Sequence, residues 1–160
     1  MTELVIRRAR HDDAPRLSTI VQRSHGYEGE KRELVRHMTL TDEYLASHPT
    51  YVAQIGNDVA GFYSLIVEPL ELDLFFVDTP FAGSGIGKKL FLHMKDTASA
   101  YNAPGLLIVS NPAAEAFYLA MGAQPTGLVP PHGKITWSRP RLWLRLREEN
   151  FTGRRECGKV

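Results

Sequence analysis

The chain has 160 residues, 43% hydrophobic and 23% charged, with a formal net charge of +1, the balance of an ordinary globular protein able to bury one core. Such a charge excludes a general electrostatic attraction to nucleic acid, and no apolar run approaches the about 18 residues that a membrane helix needs. No signal-peptide core follows Met1, and the single cysteine, Cys157, has no intrachain partner, so the expectation is a cytoplasmic protein without disulfide, metal site, membrane or nucleic-acid partner, one domain over residues 1–148 and a disordered tail at 149–160.

Residues 3–9 alternate around Leu4 and Ile6 and read as a strand; Asp12 and Asp13 then offer N-cap oxygens and Pro15 suits a first helical turn. Leu17, Ile20 and Val21 repeat at helical spacing, and the pattern fails near Gly26. From Ser24 to Pro49 the chain is polar and broken, with short helices expected around Glu30–Met38 and Asp42–His48. The period then becomes strand-like. Residues 51–55 and 59–67 are joined through Gly56-Asn57-Asp58, which is hairpin chemistry, so the two strands are expected to be antiparallel neighbours.

A third strand over residues 70–77 ends at Asp78-Thr79-Pro80, and a helix follows from about Gly85 to Tyr101 with Ile86, Leu90, Met94 and Ala98 on one face. Asn102-Ala103-Pro104-Gly105 stops it. Leu106-Leu107-Ile108-Val109 is continuously apolar, as in a strand buried on both faces, and the strand–helix–strand order predicts that it lies parallel to residues 70–77. A further short helix over Pro112–Met121 closes at Gly122, and late strands are expected at 123–129 and 141–147 around the loop Pro130-Pro131-His132-Gly133.

The turn Gly83-Ser84-Gly85-Ile86-Gly87-Lys88 sits between a strand and a helix. The first turn of a helix leaves backbone N–H groups without partners, glycines let an anion approach the backbone, and the helix dipole favours negative charge there. Two familiar nucleotide motifs fail on spacing: a dinucleotide fingerprint needs glycine where Lys88 stands, and a Walker A loop needs Ser or Thr where Lys89 stands.

The run from Phe75 to Leu90 resembles the acyl-CoA signature of the GNAT superfamily of N-acetyltransferases, Arg/Gln-x-x-Gly-x-Gly/Ala after a strand ending in Val-Asp-Pro or similar. Ser110 to Ala123, containing Asn111, Ala114, Phe117, Tyr118 and Gly122, is similar to that family's second signature, Asn-x-x-Ala-x-x-Phe-Tyr-x-x-x-Gly-Phe. The resemblance covers roughly residues 3–147 and implies an α/β (α+β) fold: a mixed, mostly antiparallel sheet of about six to seven strands with a parallel splayed pair at the CoA site, flanked by about four helices. One departure is plain, since Ala82 stands where the signature opens with Arg or Gln.

The resemblance implies that Phe75, Phe76 and Val77 hold the pantetheine arm of acetyl-CoA or a related acyl-CoA. Gly83, Ser84, Gly85, Ile86, Gly87 and Lys88 would take the pyrophosphate, with help from Lys88 or Lys89, and Asn111 would contact the cofactor arm. Tyr118 would protonate the departing thiolate, a role that a phenol held near sulfur can fill; the alternative is a core aromatic beside Phe117. An attacking amine must lose a proton, and Asp73 is the preferred base among Glu68, Glu71 and Asp73, of which Glu71 and Asp73 share a strand face by parity. His25 and Tyr27 lie in the segment that walls the acceptor site in this fold.

The activity implied is transfer of an acyl group from acyl-CoA to a primary amine, of a small molecule first, by direct attack in a ternary complex. Two alternatives stay open: a CoA-binding regulatory module without turnover, or acetylation of a protein N-terminus or lysine. No metal is expected, because the histidines form no i, i+4 pair or carboxylate cluster; a homodimer is left open.

Overall fold

The computed structural model describes residues 3–147; the expectations for Cys157 and for the tail at 149–160 lie outside the described residues. Seven strands form one sheet: β1 (Leu4–Arg8), β2 (Thr50–Ile55), β3 (Asp58–Ile66), β4 (Glu71–Val77), β5 (Gly105–Val109), β6 (Gln124–Val129) and β7 (Arg139–Arg145), in the order β1-β2-β3-β4-β5-β7-β6. Every neighbouring pair is antiparallel except β4 and β5. The hairpin of β2 and β3 forms as its sequence predicts, with Gly56 at φ +60° in the turn. The helices are α1 (Ala14–Gln22), α2 (Arg32–Arg36), α3 (Asp42–Ser47), α4 (Ile86–Ser99) and α5 (Glu115–Ala120). None of them is long and apolar enough to cross a membrane.

The sheet separates two apolar clusters. On one face Ile86, Leu90, Met94 and Ala98, the stripe expected of α4, pack with Tyr63, Leu65, Leu72, Leu106, Ile108, Leu142 and Leu144. On the other, Leu17, Ile20 and Val21 of α1, with Val35 and Leu45, pack on Val52, Phe62 and Phe76. The helices α1–α3 cover β2–β4 only. Leu107 and Val109 are therefore half-buried rather than fully buried, a correction to the two-face burial that their continuous apolar run predicted. The last strand also begins earlier than expected, at Arg139, because Pro140 lies inside it and contributes its carbonyl, which accepts from Ser110 N–H at 2.9 Å.

Two irregularities shape the centre of the sheet. In the β3–β4 register Ser64 opposes Leu74 and Leu65 opposes Leu72, so Asp73 has no residue opposite it and β4 bulges there. Leu72 consequently faces α4 while Leu74 faces the α1 side, although strict alternation would put both on one face. Also, β4 and β5 are in register only at Glu71–Leu107 and Leu72–Ile108. Beyond Leu72 the strands splay, leaving β4 main-chain groups as far as Val77 without a ladder partner on that side.

A buried carboxylate fastens α1 to the end of β4. Asp78 is 1% exposed; its oxygens accept from Arg16 at 2.7 Å, from Arg23 at 2.8 and 2.5 Å, and from Thr79 N–H at 3.0 Å. Burial pushes the Asp78 carboxyl up, but the bonds and charges of Arg23 and Arg16 outweigh it and hold the group below the ordinary carboxylate range. A depressed carboxyl stabilises the fold above its unfolded value of about 3.9, and that contribution is lost as pH falls through the lower folded value. Asp78→Ala should cost about 2 kcal/mol at neutral pH, since it removes the buried acceptor that Arg16 and Arg23 share, leaving Arg16 its contacts with Asp58 and Val59 O and Arg23 half exposed. Urea denaturation of both proteins at pH 7 and pH 3 measures it; a difference that failed to shrink in acid would place the stabilisation elsewhere.

Candidate active site

The splay opens a cleft whose walls are β4 from Leu72 to Val77, the end of β5, Asn111 and the segment Ser24–Tyr27. On the other side of Tyr118 a second trough runs from Phe75 and Val77 past Phe117 to Gly83, Gly85, Gly87 and Lys88. Phe75, Val77, Ala114 and Tyr118 line both. The two hollows thus adjoin, and Tyr118 forms part of the wall of each.

At the outer end, Gly83 and Gly85 have φ of +79° and +87°, values that side chains other than glycine adopt only with strain. Gly85 caps α4, whose first internal bond is Lys89 N–H to Gly85 O at 3.3 Å. The N–H groups of Gly83, Gly85, Ile86, Gly87 and Lys88 find no backbone acceptor among the described residues. Free donors of this kind at a helix N-terminus suit a negatively charged group. Ala82 is exposed beside them and adds no polar group.

Tyr118 stands on α5 at 6% exposure, its ring 5.4 Å from Phe117 and 6.1 Å from both Phe75 and Phe91. Burial, with a smaller effect from Tyr27, pushes its phenol well above the ordinary value, so at neutral pH it is a donor and not an anion. No hydrogen bond engages its hydroxyl among the described residues.

At the inner end, Asp73 is exposed on the bulge and accepts a very short hydrogen bond from the Tyr44 hydroxyl of α3, which also contacts Ser64 Oγ at 2.6 Å. One Asp73 oxygen is thereby held and the other left for a ligand. Glu71 lies half-buried on the same side; burial first, then the Asp73 charge, raises its carboxyl, and Arg139 opposes the shift. Glu68 is exposed outside the cleft and is not among the residues lining it.

Tyr27 lines the cleft with its ring 6.1 Å from Phe76, whereas His25 is exposed and contributes nothing to the lining. Asn111 lines the cleft, and its Nδ2 donates to Gly26 O at 2.5 Å, tying the Ser24–Tyr27 segment to the end of β5. A Cβ at Gly26 would lie 2.9 Å from that nitrogen, so any larger residue there would have to displace the Asn111 amide. Sequence reasoning missed Tyr44, Trp137 and Arg139. Tyr44 stands in an expected short helix and carries no motif, and only the fold brings it to Asp73.

A family profile described as an acetyltransferase (GNAT) domain matches residues 24–129. The fold is similar to a GCN5-related N-acetyltransferase from Rhodopseudomonas palustris, at 18% identity, TM-score 0.78, over 91% of this chain and 97% of that one. It is also similar to the ribosomal-protein-S18-alanine N-acetyltransferase from Escherichia coli, at 19% identity, TM-score 0.68, over 92% and 98% of the two chains. A third likeness is to yncA from Salmonella typhimurium with its cofactor acetyl-CoA, at 20% identity, TM-score 0.69, over 92% and 96%. No curated protein matches the sequence.

Proposed function

Since this chain belongs to the GNAT family of acetyltransferases, we propose that it transfers an acetyl or related acyl group from acyl-CoA to the primary amine of a small molecule, by direct attack in a ternary complex. The observation that carries this reading is the pair of adjoining hollows along β4 that share Phe75, Val77, Ala114 and Tyr118, one beside free N–H donors and the other beside a carboxylate. Acetyl-CoA is named with one of the similar structures, and the residues here suit such a co-substrate. The pyrophosphate would sit on the N–H groups of Gly83, Gly85, Ile86, Gly87 and Lys88. The pantetheine amides would pair with the unladdered main chain of Phe75, Phe76 and Val77, and the apolar Phe75, Phe117 and Ala114 would flank the arm.

In this reading Asp73 takes a proton from the acceptor ammonium, directly or through water. The neutral nitrogen attacks the thioester carbonyl and a C–N bond forms; the C–S bond breaks as Tyr118 gives its proton to the departing sulfur. The second proton of the nitrogen, lost as the amide forms, returns through water to the Tyr118 oxygen, and Asp73 releases the first to solvent. No enzyme nucleophile is needed, and the only cysteine in the sequence, Cys157, lies far along the chain from these elements. Tyr44 serves as a positioning residue that orients the Asp73 carboxylate.

Calorimetry with CoA and thiol release from acetyl-CoA with a panel of amines test the proposal. CoA should bind with a Kd of micromolar order, that is, about −8 kcal/mol, and NAD and ATP should not compete. Gly85→Val should weaken CoA binding at least about tenfold, because a β-branched residue is strained at this φ and turning the cap out of the left-handed region redirects the N–H groups. Uptake of no CoA, or a Gly85→Val variant with unchanged affinity, would remove the anion seat and the proposal with it.

A further inference from the structure

Three buried side-chain polar atoms have no hydrogen-bond partner among the described residues: Asn111 Oδ1, Trp137 Nε1 and Arg139 Nε. Unpaired buried groups of this kind are costly and call for an explanation. They belong to one neighbourhood. Ser110 N–H donates to Pro140 O and Val109 is level with Arg141, which sets Asn111 beside Arg139 where β5 and β7 leave the splay. Trp137 lies two residues before Arg139, and Lys31 Nζ is 5.3 Å from its ring centroid, so the turn before α2 meets this loop.

The direction of Arg139 follows from the strand. Leu142 and Leu144 face the α4 cluster, so Arg139, at odd spacing from both, projects to the opposite face, where Tyr27 packs on Phe76. Its charge is felt there, since it opposes the upward shifts that burial imposes on Tyr27 and Glu71. Yet no carboxylate comes within ion-pair distance of it among the described residues. Arg7, Arg16 and Arg23, in contrast, are each paired with an aspartate. A half-buried guanidinium with a buried, unused Nε has the two-donor edge that takes a carboxylate side-on, and Trp137 Nε1 supplies a further donor close by. Asp73, which lines the cleft, carries the opposite charge, as does Glu71, on which the charges of both Asp73 and Arg139 act.

Building on the acyl-transfer reading, we propose that the acceptor is an amino-acid-like zwitterion, whose carboxylate is taken by Arg139 and Trp137 while its ammonium is directed to Asp73. An amine bearing only cationic or neutral groups would leave Arg139 uncompensated and pays the desolvation of that charge without return.

Two measurements test this. In thiol-release kinetics, free amino acids should be preferred over their primary amides by at least about tenfold in kcat/KM, which is 1.4 kcal/mol. Arg139→Gln should collapse that ratio toward one, and Arg139→Lys should restore part of it. In calorimetry with CoA present, a panel of N-acetylated amino acids, the products of the reaction, should include ligands that bind the wild-type protein, lose affinity at least tenfold in Arg139→Gln, and do not bind as the N-acetylated amides. Equal turnover of acids and amides, an unchanged ratio in Arg139→Gln, or no binding of any N-acetylated acid overturns the zwitterion proposal and leaves acyl transfer standing. Failure to bind CoA at all strikes instead at the acyl-transfer reading beneath it.

Discussion

Tyr118→Phe is expected to lower kcat about 100-fold, within the range of roughly 100- to 10,000-fold that general acid catalysis supplies, while CoA affinity and melting temperature stay nearly constant. The ring fills a site among Phe75, Phe91 and Phe117, and phenylalanine keeps that packing. The hydroxyl makes no hydrogen bond among the described residues, so its removal leaves no buried partner unsatisfied. What the substitution removes is a proton held at neutral pH by burial of the phenol, in the wall that the two hollows share. An interaction made with sulfur only as the C–S bond breaks lowers kcat and kcat/KM together and leaves ground-state binding unaffected. Single-turnover kinetics and thermal denaturation on one preparation decide the matter; an unaltered kcat would reduce Tyr118 to a core aromatic.

Much of the frame was legible because its signals are local. The periodicity of Ile86, Leu90, Met94 and Ala98 requires one apolar helical face, and all four are buried against the sheet. The Gly56-Asn57-Asp58 turn allows little besides a hairpin. The glycines before α4 announce free N–H groups whatever the tertiary structure, since those groups follow from helix geometry alone. The strand–helix–strand order likewise implied the parallel pair of β4 and β5.

The acceptor side was far less legible, and the reason is physical. The bulge at Asp73 inserts one residue without any local marker: there is no glycine or proline at that point, and alternation across Leu72 and Leu74 reads as an unbroken strand. Only the antiparallel partner β3 reveals the slip. Arg139 was hidden for another reason. It precedes Pro140, and proline in a run argues against a strand interior, so no local signal extends the expected strand of 141–147 back to it. The insertion of β7 between β5 and β6, a consequence of long-range packing, is what carries Arg139 to Asn111. Asp78 shows the same limit, since its partners Arg16 and Arg23 are more than fifty residues away in sequence.

Asp73→Asn is expected to lower kcat/KM about 100-fold near pH 7, and the deficit should shrink as pH rises. Asparagine keeps the size of the side chain and can still accept from Tyr44, so the bulge and the Tyr44–Ser64 contact have no reason to change. It has lost only the capacity to take a proton. In the variant, attack then depends on the fraction of acceptor that is already neutral in solution, which grows tenfold per pH unit below the pKa of the amine, about 8 for an α-amino group and about 10 for a lysine-like one. The wild-type enzyme, with its base in place, gains less from the same rise. The ratio of the two should therefore fall toward one as pH passes the amine pKa. The substitution also removes a negative charge that raises Glu71, so any acidic limb of the rate profile that belongs to Glu71 should move to lower pH. A merely structural role for Asp73 predicts a deficit of constant size at every pH, together with a lower melting temperature. Parallel pH profiles of kcat/KM for the wild type, Asp73→Asn and Glu71→Gln separate these outcomes, and a pH-independent ratio in Asp73→Asn combined with a pH-dependent one in Glu71→Gln would transfer the role of base to Glu71.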